Sequence, residues 1–319
     1  RRQQSHLYHE YTLLGKDDLQ VYHTFNWAKR SYTFTDPVLQ SHLNSGLYPE
    51  EMLLLPDNAS SYTHTIAFRH MENQAGLKGN ADKLFYTIYL GRNDYAYRFQ
   101  FDPSVSIPRE LEAQNYFGFR GTYALTPELQ FKGIYKGLLG GEYVGNYVYA
   151  EMNTPWFVAY HKRVNTQPDL MSEYYYGNFF RWNHLPGSPD EFSNVNYTTT
   201  EAWSGLRFNK LYAKPFVKYS TFTDYIYYDT EALPAQFGEQ IGILQAGIDL
   251  KLQLGPFHQD LYALYTNSQN SDIIRVPEFL VNYNFYLQVP FPGRTMLSRF
   301  GIDLHWHSEF FADAYMPVT

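Results

Sequence analysis

The sequence predicts an all-β fold, an antiparallel transmembrane β-barrel of about 14–16 strands. Three observations carry that expectation. Aromatic side chains are dense, with 31 Tyr and 24 Phe among 319 residues. They fall in short alternating runs, such as Leu244, Ala246, Ile248, Leu250 and Leu252 against Gln245, Gly247, Asp249, Lys251 and Gln253. Successive strand side chains point to opposite faces, so each run makes one apolar and one polar face. No stretch of ~18 apolar residues occurs, so no transmembrane helix is expected.

The elements follow in order. A first strand is expected at 6–14 and a second at 19–34, parted by Gly15, Lys16, Asp17 and Asp18. Asp36-Pro37 opens a longer loop over 36–60, in which Pro49 to Leu55 could make one helical turn. Strands follow at 61–71 and 84–100, with Gly79-Asn80-Ala81-Asp82 as turn residues between them. Asp102-Pro103 opens a second long loop over 101–114, where Pro108 to Gln114 could make another helical turn. Runs at 115–125 and 128–138 are joined by a tight turn at Thr126-Pro127. Here Phe117, Phe119, Tyr123 and Leu125 oppose Arg120, Thr122 and Ala124, and Leu129, Phe131 and Tyr135 oppose Gln130, Lys132 and Lys136. Gly140-Gly141 separates them from runs at 142–153, 156–165 and 171–183. Pro186 to Asp190 forms a turn before runs at 192–208, 211–228 and 238–254. Gly255-Pro256 leads to 257–266, then 276–288, where Phe279, Val281, Tyr283, Phe285 and Leu287 oppose Glu278, Asn282 and Asn284. Pro290 to Gly293 precedes the run 295–310, with Phe300, Ile302, Leu304 and Trp306 against Gly301, Asp303, His305 and His307. A last strand is expected to open at 311. Gly supplies positive φ and Pro cannot continue a ladder, which is why these residues mark the breaks. Several runs exceed the ~9–11 residues that cross a bilayer, so strands are expected to continue beyond it.

Composition supports the same class. Charged residues are 18%, below the roughly 25% of soluble domains, yet mean hydropathy is −0.45. A barrel reconciles these values, because only every second residue meets lipid. The net charge of −7 argues against a general nucleic-acid binder, which needs a basic surface. The absence of cysteine excludes a disulfide scaffold, a thiolate metal site and a cysteine nucleophile. No composition break marks a linker, so 1–319 reads as a single β-barrel domain. Its ending at Pro317, Val318 and Thr319, just after a fresh aromatic stretch, predicts missing sequence at the C-terminus, and missing sequence is expected at the N-terminus too.

Two stretches resemble the putative porin family of Bacteroidota outer membranes. They are Leu19 to Asp36, LQVYHTFNWAKRSYTFTD, and Gly301 to Pro317, GIDLHWHSEFFADAYMP. The second, with His-x-His, two aromatics and Ala-Tyr-Met-Pro, is the more specific. The resemblance implies a porin-like barrel in the bacterial outer membrane and a chain that is part of a larger polypeptide. It supplies no catalytic residues to transfer.

The candidate site residues are therefore those expected to line a pore: Arg120, Lys132, Lys136, Asp249, Lys251, Asp303, His305 and His307. Lys132 and Lys136 could form a basic ladder for anions or pair with carboxylates inside the barrel, which is the favoured reading. His305 and His307 share a face, but two imidazoles are not a metal site, so no metal and no cofactor are expected. Tyr174-Tyr175-Tyr176, Phe179-Phe180, Tyr225 to Tyr228 and Phe310-Phe311 are expected in the aromatic girdles at the membrane boundary. Phosphate loops, nucleophile elbows and zinc-protease motifs are missing, and no nucleophile can be placed beside a base, so the chain is not expected to be an enzyme. Expected partners are outer-membrane lipid, small solutes and other envelope proteins, and no nucleic acid. The competing reading is a soluble or surface-exposed all-β carbohydrate-binding protein, with the aromatics as ligand platforms.

Overall fold

A computed structural model describes residues 2–15, 18–46, 48, 59–101, 105–110, 113–140, 144–290, 293 and 296–312. The wall begins with β1 (Arg2–Leu14), β2 (Leu19–Asp36), β3 (Tyr62–Ala81) and β4 (Leu84–Phe101), with the short helix α1 (Leu39–Asn44) between β2 and β3. β5 (Val105–Glu110) folds back on β4, and β6 (Gln114–Ala124), β7 (Gln130–Leu138), β8 (Asn146–Asn153) and β9 (Val158–Thr166) continue the wall. A loop then carries α2 (Leu170–Glu173) and the small hairpin β10 (Tyr174–Tyr176) and β11 (Arg181–Asn183). The wall resumes with β12 (Val195–Trp203), its short extension β13 (Leu206–Phe208), and β14 (Leu211–Thr223). A second small hairpin, β15 (Tyr225–Tyr228) and β16 (Pro234–Phe237), leads to β17 (Ile241–Leu254), β18 (Phe257–Ser268), β19 (Phe279–Pro290) and β20 (Leu297–His307).

Fourteen of these strands follow one another in a single sheet, from β1 through β20, each antiparallel to its neighbour. The expected all-β antiparallel architecture is therefore present. Among the described residues no register joins β1 to β20, so this sheet is an open arc.

The connections differ between the two ends. One end has tight turns: Asp82-Lys83, Asn209-Lys210 and Gly255-Pro256 each join two register-paired strands. Gly255 holds φ +62° at the first turn position, a conformation a hairpin needs and Gly adopts without a Cβ clash. The other end carries the long loops, among them those holding α1 and β10–β11. β2, β3 and β4 are 18, 20 and 18 residues long, well past the ~9–11 that span a bilayer.

Three expectations are corrected. The run 171–183 is not a wall strand: α2 caps on Asp169, whose carboxylate accepts from Met171 N at 2.9 Å, and the rest forms β10–β11. The helical turn expected from Pro108 is instead the end of β5, held by pairing to β4 through Phe101 with Val105 and Ala96 with Glu110. The turn expected at Gly79 to Asp82 comes later, because β3 runs on through Ala81. The helical turn expected over 49–55 lies outside the described residues, as does most of the strand expected from 311.

Candidate functional site

The continuous register fixes which side chains share a face, since directly opposed residues of neighbouring strands point the same way. One row runs Tyr22, Gly76, Tyr89, Gly118, Lys136 and Tyr147 across β2 to β8. Another runs Lys132, Glu151, Tyr160, Glu201 and Lys218 across β7 to β14. Lys251, Asp260, Asn284 and Asp303 form a third, and Asp249, Tyr262, Asn282 and His305 a fourth. By this register and the two-residue repeat, Arg120, Lys132, Lys136, Asp249, Lys251, Asp303, His305 and His307 all stand on one polar face.

Crowding identifies that face as the concave one. Tyr22, Asn93, Tyr116, Thr199, Ser220 and Thr266 are buried on it. On the opposite face the apolar side chains are open: Leu90 is 59% exposed, Val217 48%, Ile302 69% and Trp306 52%. Polar groups inside and apolar groups outside invert the rule for a water-soluble domain. A contiguous apolar surface of this extent needs an apolar solvent or a partner to cover it.

On the inner face, tyrosines organise the charges. Tyr116 donates to Glu72 Oε1 at 2.7 Å, and Asn26 Nδ2 donates to the other oxygen at 2.9 Å. Lys136 Nζ sits 3.7 Å from the Tyr116 ring centre, so a cation, a ring and a carboxylate lie in contact. Gln74 donates to the Tyr22 hydroxyl at 2.8 Å. Farther along, Tyr149 donates to Glu151 and Tyr160 donates to Glu201 at 2.8 Å. Lys132, Lys162 and Lys214 lie over Tyr149, Tyr197 and Trp203 at 5.4, 4.8 and 4.9 Å. Lysines thus rest on aromatic rings. Opposite charges also face each other in register, as Lys132 with Glu151, Lys214 with Asp249, Glu201 with Lys218 and Lys251 with Asp260. Charge on this face is interleaved, not stacked in one sign.

His305 Nδ1 hydrogen-bonds Asn282 Oδ1 at 2.9 Å, and His307 Nδ1 takes the Ser308 carbonyl at 2.9 Å. Among the described residues no group of three or more potential metal ligands forms. A polar recess of 230 Å³ opens on the inner face beside Asn93, Gln114, Lys136 and Tyr147.

At the long-loop end the inner face carries a compact aromatic cluster. Tyr62, His64, Phe99 and Phe101, on β3 and β4, are at most 1% exposed. The β10–β11 loop folds onto them: Tyr175 is fully buried, its ring edge-on to His64 at 5.7 Å and stacked on Trp182 at 4.6 Å. Trp182 Nε1 donates to the Met171 carbonyl at 2.8 Å. Tyr48 stacks on Phe179 at 4.3 Å, and Phe179 meets Tyr62 at 5.5 Å. Asp36 ties α1 to the end of β2, accepting from Val38 N at 2.9 Å and Tyr48 at 3.0 Å and pairing with His42 Nδ1 at 2.6 Å. Burial opposes ionisation of Asp36, but the bonds from His42, Val38 and Tyr48 outweigh it and hold the carboxyl below its ordinary range. Burial alone lowers His64 to about 4; burial is the main cause raising the Tyr62 hydroxyl against the bond from Asn178 N, and it raises the Tyr175 hydroxyl together with the neighbouring Tyr62. Tyr175 touches His64 Nδ1 at 3.3 Å, while Nε2 has no hydrogen-bond partner among the described residues.

This cluster corrects the girdle expectation for Tyr174 to Tyr176 and Phe179-Phe180. These aromatics are covered by protein on the inside of the arc, because their hairpin leaves the wall and packs on its inner face. Glu72, Tyr116 and His64 were missed as site residues. Glu72 lies just past 71, where the strand is expected to end, whereas β3 runs on to Ala81 and carries Glu72 on the inner face.

The sequence matches the family described as putative porin over residues 1–319. A search of curated proteins finds no match. Among solved structures, the chain is similar to copper transporter OprC at 12% identity and TM-score 0.62, covering 90% of this chain and 50% of that one. It is similar to the siderophore receptor PirA from Acinetobacter baumannii at 8% identity and TM-score 0.55, covering 90% and 48%. It is also similar to a ferric enterobactin receptor mutant from Pseudomonas aeruginosa at 11% identity and TM-score 0.56, covering 97% and 50%. The chain spans about half the length of these structures. At these identities the likeness concerns the fold.

Proposed function

The chain belongs to the putative porin family, and from that premise we propose that it forms the wall of an outer-membrane barrel that passes small solutes or serves as the barrel subunit of an envelope complex. The family and the receptor and transporter barrels it resembles point to the bacterial outer membrane and to a non-enzyme. The observation that carries the transport reading is the inverted arc, polar and interleaved in charge inside, apolar and open outside. Arg120, Lys132, Lys136, Asp249, Lys251, Asp303, His305 and His307 line the path in this reading. Because opposite charges alternate across neighbouring strands, the path discriminates weakly between anions and cations. In a barrel of this kind the tight turns face the periplasm and the long loops the exterior. The aromatic cluster around Tyr175 then narrows the outer mouth.

Planar bilayers test the proposal. Folded protein inserted into a bilayer is expected to give discrete conductance steps with a cation-to-anion permeability ratio near one, and Lys132→Glu together with Lys136→Glu is expected to bias it toward cations. Absence of steps from protein that shows heat-modifiable mobility on a detergent gel removes the solute path and leaves the barrel as a scaffold.

A further inference from the structure

We propose that a basic groove on the outward face of β2, β3 and β4 binds the phosphate group of an outer-leaflet lipid. The groove has a volume of about 400 Å³ and is walled by Trp27, Lys29, Arg69 and Arg98, with Ala67 and Ala96 at its floor. Register builds it: Lys29 stands opposite Arg69, Arg69 opposite Ala96, and Arg98 opposite Ala67. The two alanines leave room between the long side chains.

Like charges directly opposed on neighbouring strands destabilise a sheet. Lys29 and Arg69 are so opposed, and among the described side chains no ion pair joins Lys29, Arg69 or Arg98 to a carboxylate. The contrast on the same face is Arg92, which Asp94 holds at 3.0 Å. Glu110 stands opposite Ala96 in register. Counting it against Lys29, Arg69 and Arg98 still leaves a net charge of plus two. An anion seated between the three cations relieves their repulsion, and a phosphate suits the planar forks of the two arginines.

The level along the wall selects a lipid. The outward residues of β2 before the groove are Leu19, Val21, His23, Phe25 and Trp27. Eight residue steps at ~3.4 Å, on a strand tilted by ~40°, rise about 21 Å, close to the ~25 Å apolar band of such barrels. Trp27 marks the boundary where indole rings settle, and Lys29 is the next outward side chain toward the long-loop end. Three cations with no carboxylate partner among the described side chains, at the height of the headgroups and facing away from the lumen, meet lipid phosphate rather than transported solute. The proposal rests on the outward face lying against the outer leaflet.

Native mass spectrometry of the full chain in detergent tests it, with bis-phosphorylated lipid A, the same lipid with both phosphates removed, and inorganic phosphate as probes. The phosphorylated lipid is expected to stay bound, the dephosphorylated lipid to leave, and inorganic phosphate to bind far more weakly. Lys29→Gln, Arg69→Gln and Arg98→Gln are each expected to weaken binding about tenfold. Equal retention of the two lipids, or unchanged binding by the triple variant, overturns the proposal. Saturation by inorganic phosphate at the lipid's concentration overturns the lipid as source. Heat-modifiable mobility is recorded on every sample. If the wild type lacks it, the membrane reading fails first. If only the triple variant lacks it, Arg98→Gln alone decides, and undiminished binding overturns the proposal.

Discussion

Val217→Arg separates a wall facing lipid from a wall facing water. Val217 lies on β14 between Ala202 of β12 and Ala246 of β17, so its outward side chain faces a methyl group on each neighbouring strand. It is 48% exposed. If water bathed that face, the substitution would fall within about 0.5 kcal/mol of neutral, as surface changes do. If lipid bathes it, arginine near the middle of the apolar band costs about 2–4 kcal/mol, a 30-fold or greater loss in the folding equilibrium. Val217→Leu keeps the face apolar and serves as the matched control. The assay is urea unfolding in lipid vesicles, followed by the heat-modifiable gel shift. A Val217→Arg protein as stable in vesicles as Val217→Leu, within about 0.5 kcal/mol, refutes the assignment of the outward face to lipid.

Two further outcomes follow from the inner face. His64 is held to about 4 by burial, below its ordinary 6.5, so the unfolded chain binds the extra proton between those values. The contribution of the docked loop is complete above pH 6.5, falls as pH drops toward 4, and is reduced by about 3 kcal/mol below it. Protection factors across 170–185, which divide out the intrinsic pH dependence of amide exchange, are expected to fall over that window, and His64→Phe is expected to abolish the fall; protection that still falls in that variant rejects the assignment. Tyr89 lies over Gly118, and Tyr116 over Gly91, each ring where a Cβ would overlap it. Gly118→Val is expected to destabilise by about 1–3 kcal/mol, with Tyr89→Ala in the same chain recovering part of the loss, and strictly additive effects in the double-mutant cycle reject direct contact.

The wall was legible because its period is two and its turns carry Gly, Pro, Asp and Asn. The run 244–252 and its register neighbours 259–267 needed nothing beyond alternation. Where the reading failed, tertiary contact overrode local pattern. Residues 171–183 carry a strand-like aromatic density, yet those rings are spent on Phe99, Phe101 and His64, more than 70 residues away in sequence. No periodicity encodes such a partner. Polar alternation placed the eight candidate side chains on one face, but the tyrosines that hold the charges were invisible as partners. Lys136 reaches Glu72 by way of the Tyr116 ring, which it lies over and whose hydroxyl bonds that carboxylate, and that arrangement depends on the stagger of neighbouring strands.

The wall and the mouth are stabilised by different solvents, and this makes them separable. Outward side chains such as Val217, Tyr219, Leu244, Phe300, Ile302 and Trp306 are left exposed by the protein, so their burial waits on the bilayer. Tyr62, Tyr175, Phe101 and Leu39 are fully covered by the chain itself, at 1% exposure or less, so the mouth packs whether or not lipid is present. Protonation of His64 acts on the second, because His64 sits at the loop end. Lipid thickness acts on the first and not the second. A low-pH change in loop exchange with an unchanged gel shift, and a vesicle-dependent change in gel shift with unchanged loop exchange, are the paired results this division requires. If protonating His64 unfolds the wall together with the loop, the two parts form one cooperative unit, and the mouth cannot open while the barrel stands.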